Sequence, residues 1–456
     1  MKHHPLLTAA ALTLCALSAQ ATDLMQAWQA ARQHDPQAAV ADAARAAGET
    51  RRAQGAALWR PNVMLSGSAG RMSANSATSG AQFAAPGFGQ STGVSFDTSV
   101  NNGTSTRWAV TARQPLYNSK RSAQRQQLEI GADSAGLQWQ AAQQDLMLAT
   151  TQRYFDVVLA ERKLALLRQQ QAAVDRAFTE AKDRFELGDA PVTDTHEASA
   201  RARGLQAQVL AAQSELELAQ TILLDATGLA PDALQVMAPA GEVAPTDLLP
   251  LAQWLALAQE NNPLLRLQRA YADAARQETH KHGALAAPTL DLVAQVGRER
   301  LSGSGDFGAA SNTSRQQMIG LQLNVPLYTG GMRSAKLDEA LRLEDKARAE
   351  VEQASQQTRQ QTRAAWLGLQ TGQARLSALA EAVTASQARL GATRLGRQVG
   401  DRTTLDLLNA ENDASAADLA LLQARIEVLH NRLRLQALAG QLDESRLQTV
   451  NALLSH

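Results

Sequence analysis

From Leu290 onward apolar and polar positions alternate: Leu290, Leu292, Ala294 and Val296 are apolar, with Asp291 and Gln295 between them. A second run keeps the same period, Ile319, Leu321, Leu323, Val325 and Leu327 against Gly320, Gln322 and Asn324. Apolar residues at every second position mark a strand with one buried face. Fainter versions occur earlier, at Val63, Leu65 and Ala69 and at Trp108, Val110 and Ala112. The pattern predicts four strands, about 61–71, 105–115, 289–300 and 315–327, with Gly/Ser/Asn-rich loops over roughly 72–104 and 299–314.

Elsewhere the period changes to alternating steps of three and four. Ala160, Leu164, Leu167, Gln171, Val174, Phe178, Ala181 and Phe185 form one such seam, and Leu405, Leu408, Asn412, Ser415, Leu419, Leu422, Ile426, Leu429 and Leu433 another. This is a heptad-like stripe diluted with small and polar residues. It predicts helices over 118–187, 192–228, 332–398 and 403–440, with shorter ones opening at Pro36 and Pro263, where proline suits the first turn. A helix over 118–187 would extend about 105 Å at 1.5 Å per residue, far beyond a globular helix. The shorter stretches 36–58 and 192–228 together nearly equal it in length, so they are expected to stack end to end beside it.

The two sets of elements are copies of one unit. His34-Asp35-Pro36 matches Asn261-Asn262-Pro263, and Pro61 matches Pro288, both at a spacing of 227. Pro115-Leu116-Tyr117 matches Pro326-Leu327-Tyr328 at 211; Gly188-Asp189 matches Gly400-Asp401, and Gly228 matches Gly440, at 212. The spacing changes once, between Pro61 and Pro115, and drifts by a single residue thereafter. The region of unequal length is therefore expected to be a loop, and the repeat units are 22–230 and 251–440, joined by a linker at 231–250 and followed by a tail at 441–456.

Composition narrows the class. Residues 1–21 read as a secretory signal, with Lys2 in a basic start, a short apolar run and Ala19-Gln20-Ala21 as the cleavage site. Cys15, the single cysteine, lies within it, and the larger Leu14 before it disfavours a lipidation site. Outside the signal there is no thiol for a disulfide, a metal site or a nucleophile. Forty-four basic and 44 acidic side chains balance, which removes support for nucleic-acid binding. No HExxH or Walker-type motif is present, the GxSxG string at Gly89–Gly93 lies inside the predicted loop over 72–104 rather than at a strand-to-helix turn, and the two histidines of His280-Lys281-His282 do not share a helix face. Neither enzyme nor cofactor nor metal is expected.

Strand periodicity alone fits a half-buried hairpin on a soluble domain. The predicted strand length of about ten residues is what a tilted membrane strand needs, and Asn, Gln and Arg on the second face suit a wet lumen. Four strands cannot close a barrel, because an open edge in lipid leaves main-chain groups unpaired. Two chains reach the minimum of about eight strands, and three give twelve. A periplasmic coiled-coil scaffold without a pore accounts for the heptads but not for the strands.

The duplicated helix-strand-strand-helix-helix order, the two Pro-Leu-Tyr phrases, LGDAPVTDTHEASA (187–200) and VGDRTTLDLLNAENDA (399–414) together resemble the TolC family of trimeric outer-membrane channels of Gram-negative bacteria. The resemblance implies a mainly α fold with a small β part. Long, internally duplicated helical hairpins would form a periplasmic α-barrel, and four strands per chain would join a shared 12-stranded transmembrane β-barrel in outer-membrane lipid. Pro115 and Pro326 would stand at the strand-helix junctions, with Trp59, Tyr117 and Tyr328 at the barrel rim. Leu187, Gly188, Asp189, Val399, Gly400 and Asp401 would be the hairpin tips that meet a periplasmic adaptor (membrane-fusion) protein. Asp406 matches the first of two acidic gate residues, while Asn409 replaces the second. Arg402 matches a basic latch residue, with Thr193 and Asp194 as its partners, and Arg397 stands where the family can carry a latch tyrosine. The implied function is a homotrimeric exit channel for proteins (type I secretion) or small molecules, opened by the adaptor and an inner-membrane ABC or proton-driven transporter. The stretch VTDTHEASA leans toward the protein-secretion branch.

Overall fold

The structure, a computed structural model, describes residues 22–87, 89–189, 191–229, 238–239, 248–284, 287–306 and 308–455. The expected signal and most of the expected linker lie outside the described residues. In chain order come α1 (Leu24–His34), α2 (Pro36–Ala57), β1 (Asn62–Ala85), β2 (Gly89–Tyr117), α3 (Ser119–Glu186), α4 (Val192–Thr227) and a short β3 (Ala238–Pro239). There follow α5 (Leu251–Asn261), α6 (Pro263–Gly283), β4 (Thr289–Gly305), β5 (Gly308–Asn324), α7 (Met332–Gln398), α8 (Thr404–Leu438), α9 (Glu444–Asn451) and β6 (Leu454–Ser455). The chain divides into two compact units. A helical unit holds the described residues up to Ala47, Ser134–Arg269 and those from Glu350 on; a sheet unit holds Gly48–Asp133 and Ala270–Ala349.

In the helical unit the main core gathers Trp28, Tyr154, Phe155, Leu429, Leu433 and Leu447. Each repeat breaks its first helical stretch before a proline. At the first break the Asp35 carboxylate accepts the Gln37 amide at 2.8 Å and pairs with Arg153 at 3.1 Å. At the second, Asn262 accepts the Leu265 amide at 2.9 Å and donates from Nδ2 to the Leu438 carbonyl at 3.1 Å. One side chain therefore caps the start of α6 and the end of α8 together.

The glycines that follow α4 and α8 meet these breaks. Gly228 and Gly440 both have φ of 68°, and a Cβ would lie 2.8 Å from His34 Nδ1 in the first case and 2.4 Å from the Asn261 carbonyl in the second. Glycine is required twice over, by the left-handed backbone and by the close approach.

The expected tail instead carries α9 and β6. Asp443 caps α9 by accepting the Arg446 amide at 3.0 Å, Leu447 and Val450 are buried, and Glu444 pairs with Arg32 of α1 at 2.9 Å. Its partners lie at the other end of the sequence, so local pattern does not reveal that it is packed. The short helices α1 and α5 were likewise absent from the predicted elements, although Leu24, Ala27, Trp28 and Ala31 have helical spacing and are buried.

The sheet unit is one antiparallel sheet ordered β1-β2-β4-β5. Its strands run well past the predicted bounds, into both segments expected as loops. Ser, Thr, Asn and Gly keep main-chain pairing without any apolar alternation, so this part of the ladder leaves no periodic signal. Register shifts near Met72, Thr78 and Ala81 interrupt β1 within it. At the other end β5 stops at Asn324 rather than 327, so Pro326 lies past the strand. Pro115 lies inside β2 opposite Asp291, beyond the first β1–β2 pair (Asn62 with Arg113), where β2 is paired on the β4 side alone. A residue without an N–H fits both places.

Residues directly opposite in an antiparallel ladder share a face. Val63, Ala112, Ala294 and Ile319 form one such row and Leu65, Val110 and Val296 the next, with Leu292 and Leu321 on the same face. Leu65 is 72% exposed and Ile319 77%, so an apolar face crosses both repeats uncovered. On the opposite face Arg113 lies 4.0 Å from Asp291 and 3.1 Å from Gln322, and Arg107 pairs with Glu299 at 2.6 Å.

Replacing Gly440 with Ala should lower the thermal midpoint of helical circular dichroism in detergent, with about 1–2 kcal/mol lost to the backbone alone. Gly391, inside α7 and facing open space, is the control. Gly391→Ala should leave the midpoint unchanged or raise it, since it gains roughly 0.5–1 kcal/mol of helix propensity.

Candidate gate at the hairpin tips

Helices α3 and α4 form one hairpin and α7 and α8 the other, and both turns use the same backbone device. The Gly188 amide donates to the Phe185 carbonyl at 3.0 Å and the Asp189 amide to Arg184 at 2.8 Å; the Gly400 amide donates to Arg397 at 3.1 Å and the Asp401 amide to Gly396 at 2.8 Å. With φ of 82° at Gly188 and 80° at Gly400, each is a Schellman cap with glycine in its left-handed position. The residue before each glycine is left in solvent: Leu187 is 77% exposed and Val399 74%. Two matched turns thus present an apolar side chain, a glycine and a carboxylate.

Asp406 occupies the first turn of α8, in a reciprocal cap. Thr403 Oγ1 accepts the Asp406 amide at 3.1 Å, while Asp406 Oδ2 accepts the Thr403 amide at 3.0 Å and its hydroxyl at 2.9 Å. These two bonds from Thr403, amide first, hold the carboxyl below its usual range, helped by the charges of Arg402 and Arg389 against a smaller desolvation effect. The carboxylate is therefore ionised and fixed in position at neutral pH.

One turn further on, Asn409 accepts from Arg201 Nη2 of α4 at 2.6 Å. Arg397 of α7 pairs with Glu180 of α3 at 2.6 Å, and Gln170 of α3 donates to Asn412 of α8 at 3.2 Å. Within the second hairpin, Arg389–Asp413 at 2.7 Å and Arg394–Glu411 at 3.2 Å join α7 to α8. Between the hairpins lies a cleft of about 640 Å³ whose lining includes Asp194, Glu197, Arg201, Arg397 and Arg402. Arg402 and Asp194 face this one cleft, yet among the described residues no ion pair joins them. The Thr193 hydroxyl reaches only the Asp194 carboxylate, at 3.5 Å. No group of three His, Cys, Asp or Glu side chains that could hold a metal occurs among the described residues.

A model of the outer membrane efflux protein family matches residues 27–229 and 254–441, the bulk of both repeats. The chain belongs to this family. The protease secretion protein PrtF of Dickeya chrysanthemi is 29% identical over 99% of this chain and 95% of its own length. The alkaline protease secretion protein AprF of Pseudomonas aeruginosa is 28% identical over 97% and 89%, and the outer membrane protein TolC of Escherichia coli 30% over 72% and 68%. The fold is that of the crystal structures of the outer membrane protein VceC of Vibrio cholerae (TM-score 0.72, 19% identity, 91% of this chain and 96% of that one) and the CmeC outer membrane channel of Campylobacter jejuni (0.73, 15%, 95% and 90%). This outer membrane efflux protein is an exit channel of the Gram-negative outer membrane, with long helical hairpins extending on the periplasmic side. The pore-free scaffold is set aside.

The efflux protein's tip residues fall on turns that the sequence itself spells, and Asp406 on a local cap that emerged only with the structure. Arg201, Glu180 and Gln170 escaped the sequence reading, because their partners lie on the other hairpin and no local spacing marks them.

Asp406 has a folded pKa below its free value. Its contribution to the cap is therefore complete above the ordinary carboxylate pKa of 3.8 and lost as pH falls through the depressed value. Replacing Thr403 with Val should move the Asp406 titration upward, read from the carboxyl ¹³C shift in selectively labelled protein. An unchanged titration would remove the Thr403 hydroxyl as a cause and leave the main-chain amide alone.

Proposed function

We propose that this efflux protein is the exit duct of a protein-secreting, type I system, assembled as a homotrimer. A periplasmic adaptor and an inner-membrane ABC transporter open it from the helical tips. One observation carries the cargo class: both protease secretion proteins align with this chain nearly end to end, over 99% and 97% of its length, whereas Escherichia coli TolC aligns over 72%.

The open edges of the sheet support closure by further copies of the chain, here taken as three. β1 and β5 each have one unpaired side, and three copies joined β5 to β1 make a closed ring of about twelve strands with every main-chain group satisfied. Pro115 and Pro326 then mark where barrel strands give way to tunnel helices. Around the threefold axis three Asp406 side chains form a carboxylate ring that favours cations. Asn409 adds no charge to it, being a neutral amide, and accepts from Arg201.

The bonds Arg397–Glu180, Arg201–Asn409 and Gln170–Asn412 hold one chain's two hairpins together in the closed form. Arg402, which lines the cleft with Asp194 and has no ion pair among the described residues, is the latch residue available to a neighbouring chain, with Thr193 and Asp194 as the matching partners. Leu187-Gly188-Asp189 and Val399-Gly400-Asp401 are the adaptor contacts. The chain has no Walker-type motif, so the driving energy comes from the transporter.

In planar bilayers Asp406→Asn, which keeps an acceptor for the Thr403 amide, should lower cation over anion permeability and relieve divalent block. Arg397→Ala should raise mean conductance. Unaltered current-voltage curves for Asp406→Asn would exclude the ring. In the native host, deletion followed by complementation decides the cargo: loss of an extracellular protein with unchanged drug susceptibility supports the proposal, and the converse makes the channel a drug-efflux duct driven by a proton-coupled pump.

A further inference from the structure

The uncovered apolar face of the sheet ends at one level. Toward the hairpin turns, the row after Leu65, Val110 and Val296 consists of Gly67, Trp108, Arg298 and Arg315. The next row on that face is Ala69, Thr106, Arg300 and Thr313, and the next Arg71, Thr104, Ser302 and Ser311. Four exposed arginines per chain thus stand just past the apolar band, beside a Trp108 that is 46% exposed.

Charge is sorted between the two faces. In the rows that run across all four strands, from Val63–Ala112–Ala294–Ile319 to Arg71–Thr104–Ser302–Ser311, and in the rows flanking them on the β2–β4–β5 side, the carboxylates are Asp291 and Glu299. Both are on the opposite face, where Arg113 and Arg107 engage them; Asp97 of β2 lies further toward the hairpin turn, opposite Ala77. Arg298 and Arg315 are directly opposed cross-strand neighbours, an arrangement that destabilises a sheet unless an anion lies between them. Arg300 donates to the Ser302 hydroxyl at 3.3 Å, its neighbour on the same face. None of the four makes an ion pair among the described residues.

The level is fixed by connectivity. β1 follows α2 and β2 leads into α3, so the helices leave one end of the strands and the hairpin turns lie at the other. Tryptophan favours the membrane interface, so the row that holds Trp108, Arg298 and Arg315 and the two rows beyond it lie at the headgroups of the outer leaflet.

Resting on the outer-membrane barrel reading, we propose that Arg298, Arg315, Arg300 and Arg71 form a binding site for the phosphate groups of the outer leaflet's glycolipid, whose lipid A anchor is a bisphosphorylated disaccharide. Guanidinium groups bind phosphate with two parallel hydrogen bonds, and two adjacent arginines with a third one row away suit a headgroup carrying two phosphates. The band anchors the barrel at a set depth in a leaflet where ordinary phospholipid is scarce.

The full chain in detergent is mixed with purified lipid A, and bound lipid is counted by native mass spectrometry. Wild type should hold bisphosphorylated lipid A. Arg298→Gln with Arg315→Gln should weaken it by about fivefold or more per arginine, and Lys at both positions should retain part of the affinity. Dephosphorylated lipid A and phosphatidylglycerol vesicles should bind weakly, and inorganic phosphate at equal concentration should not displace the lipid. Equal binding by the Gln pair, by dephosphorylated lipid A or by phosphatidylglycerol overturns the proposal. If the double variant does not fold, Arg300→Gln alone should show the same direction, and no loss there is equally fatal. Conductance of the same preparations in phosphatidylcholine bilayers tests the channel itself: loss of lipid A binding with conductance intact supports the site, whereas absent conductance in wild type strikes at the channel reading instead.

Discussion

A four-stranded sheet with two bare edges and an uncovered apolar face is not a finished object in water or in lipid. The edge strands β1 and β5 each leave a row of main-chain donors and acceptors without partners, and in hydrocarbon each such group costs several kcal/mol. Side-chain chemistry cannot repair this; another strand can. Much of the remaining design is consistent with that demand. The duplication sets two hairpins side by side in one chain, and the apolar rows continue across the β2–β4 join that links the repeats.

The sheet also separates its charges by face. Arg107 and Arg113 are satisfied by Glu299 and Asp291 on the polar face, while the arginines on the apolar face have no carboxylate partner among the described residues. A face that must meet hydrocarbon over most of its height carries cations only where hydrocarbon ends. The same strands then continue as Ser/Thr/Asn-rich ladder, where pairing of the main chain persists after the need for apolar side chains has ceased.

In the helical unit, control rests on helix ends. Long helices are self-sufficient along their lengths, so distinctive chemistry gathers at turns, breaks and caps. Asn262 serves two helix termini at once, Gly228 and Gly440 allow helix ends to approach to contact, and the tip glycines close paired Schellman turns. Asp406 belongs to the same class: its cap with Thr403 sets the carboxylate's place and its charge. The bonds across the hairpins, Arg397–Glu180 and Arg201–Asn409, are exposed or partly exposed and individually weak, as the proposed opening at the tips requires.

The sequence by itself determined whatever repeats at short range or restarts at fixed distance. Alternation at Leu290–Val296 and Ile319–Val325, the heptad seams, the glycine turns and the duplication are all local or periodic, so they survive in a linear string; the Thr403–Asp406 cap is also local but emerged only with the structure. Tertiary structure alone decided the extent of β1 and β2 through a stretch with no apolar rhythm, the packing of α9 against α1, and the pairing of Arg201 with Asn409 and Glu180 with Arg397. Those outcomes depend on which residues arrive together from distant parts of the chain. Hydrogen bonding of the main chain and ion pairing across helices impose no period on the sequence that makes them.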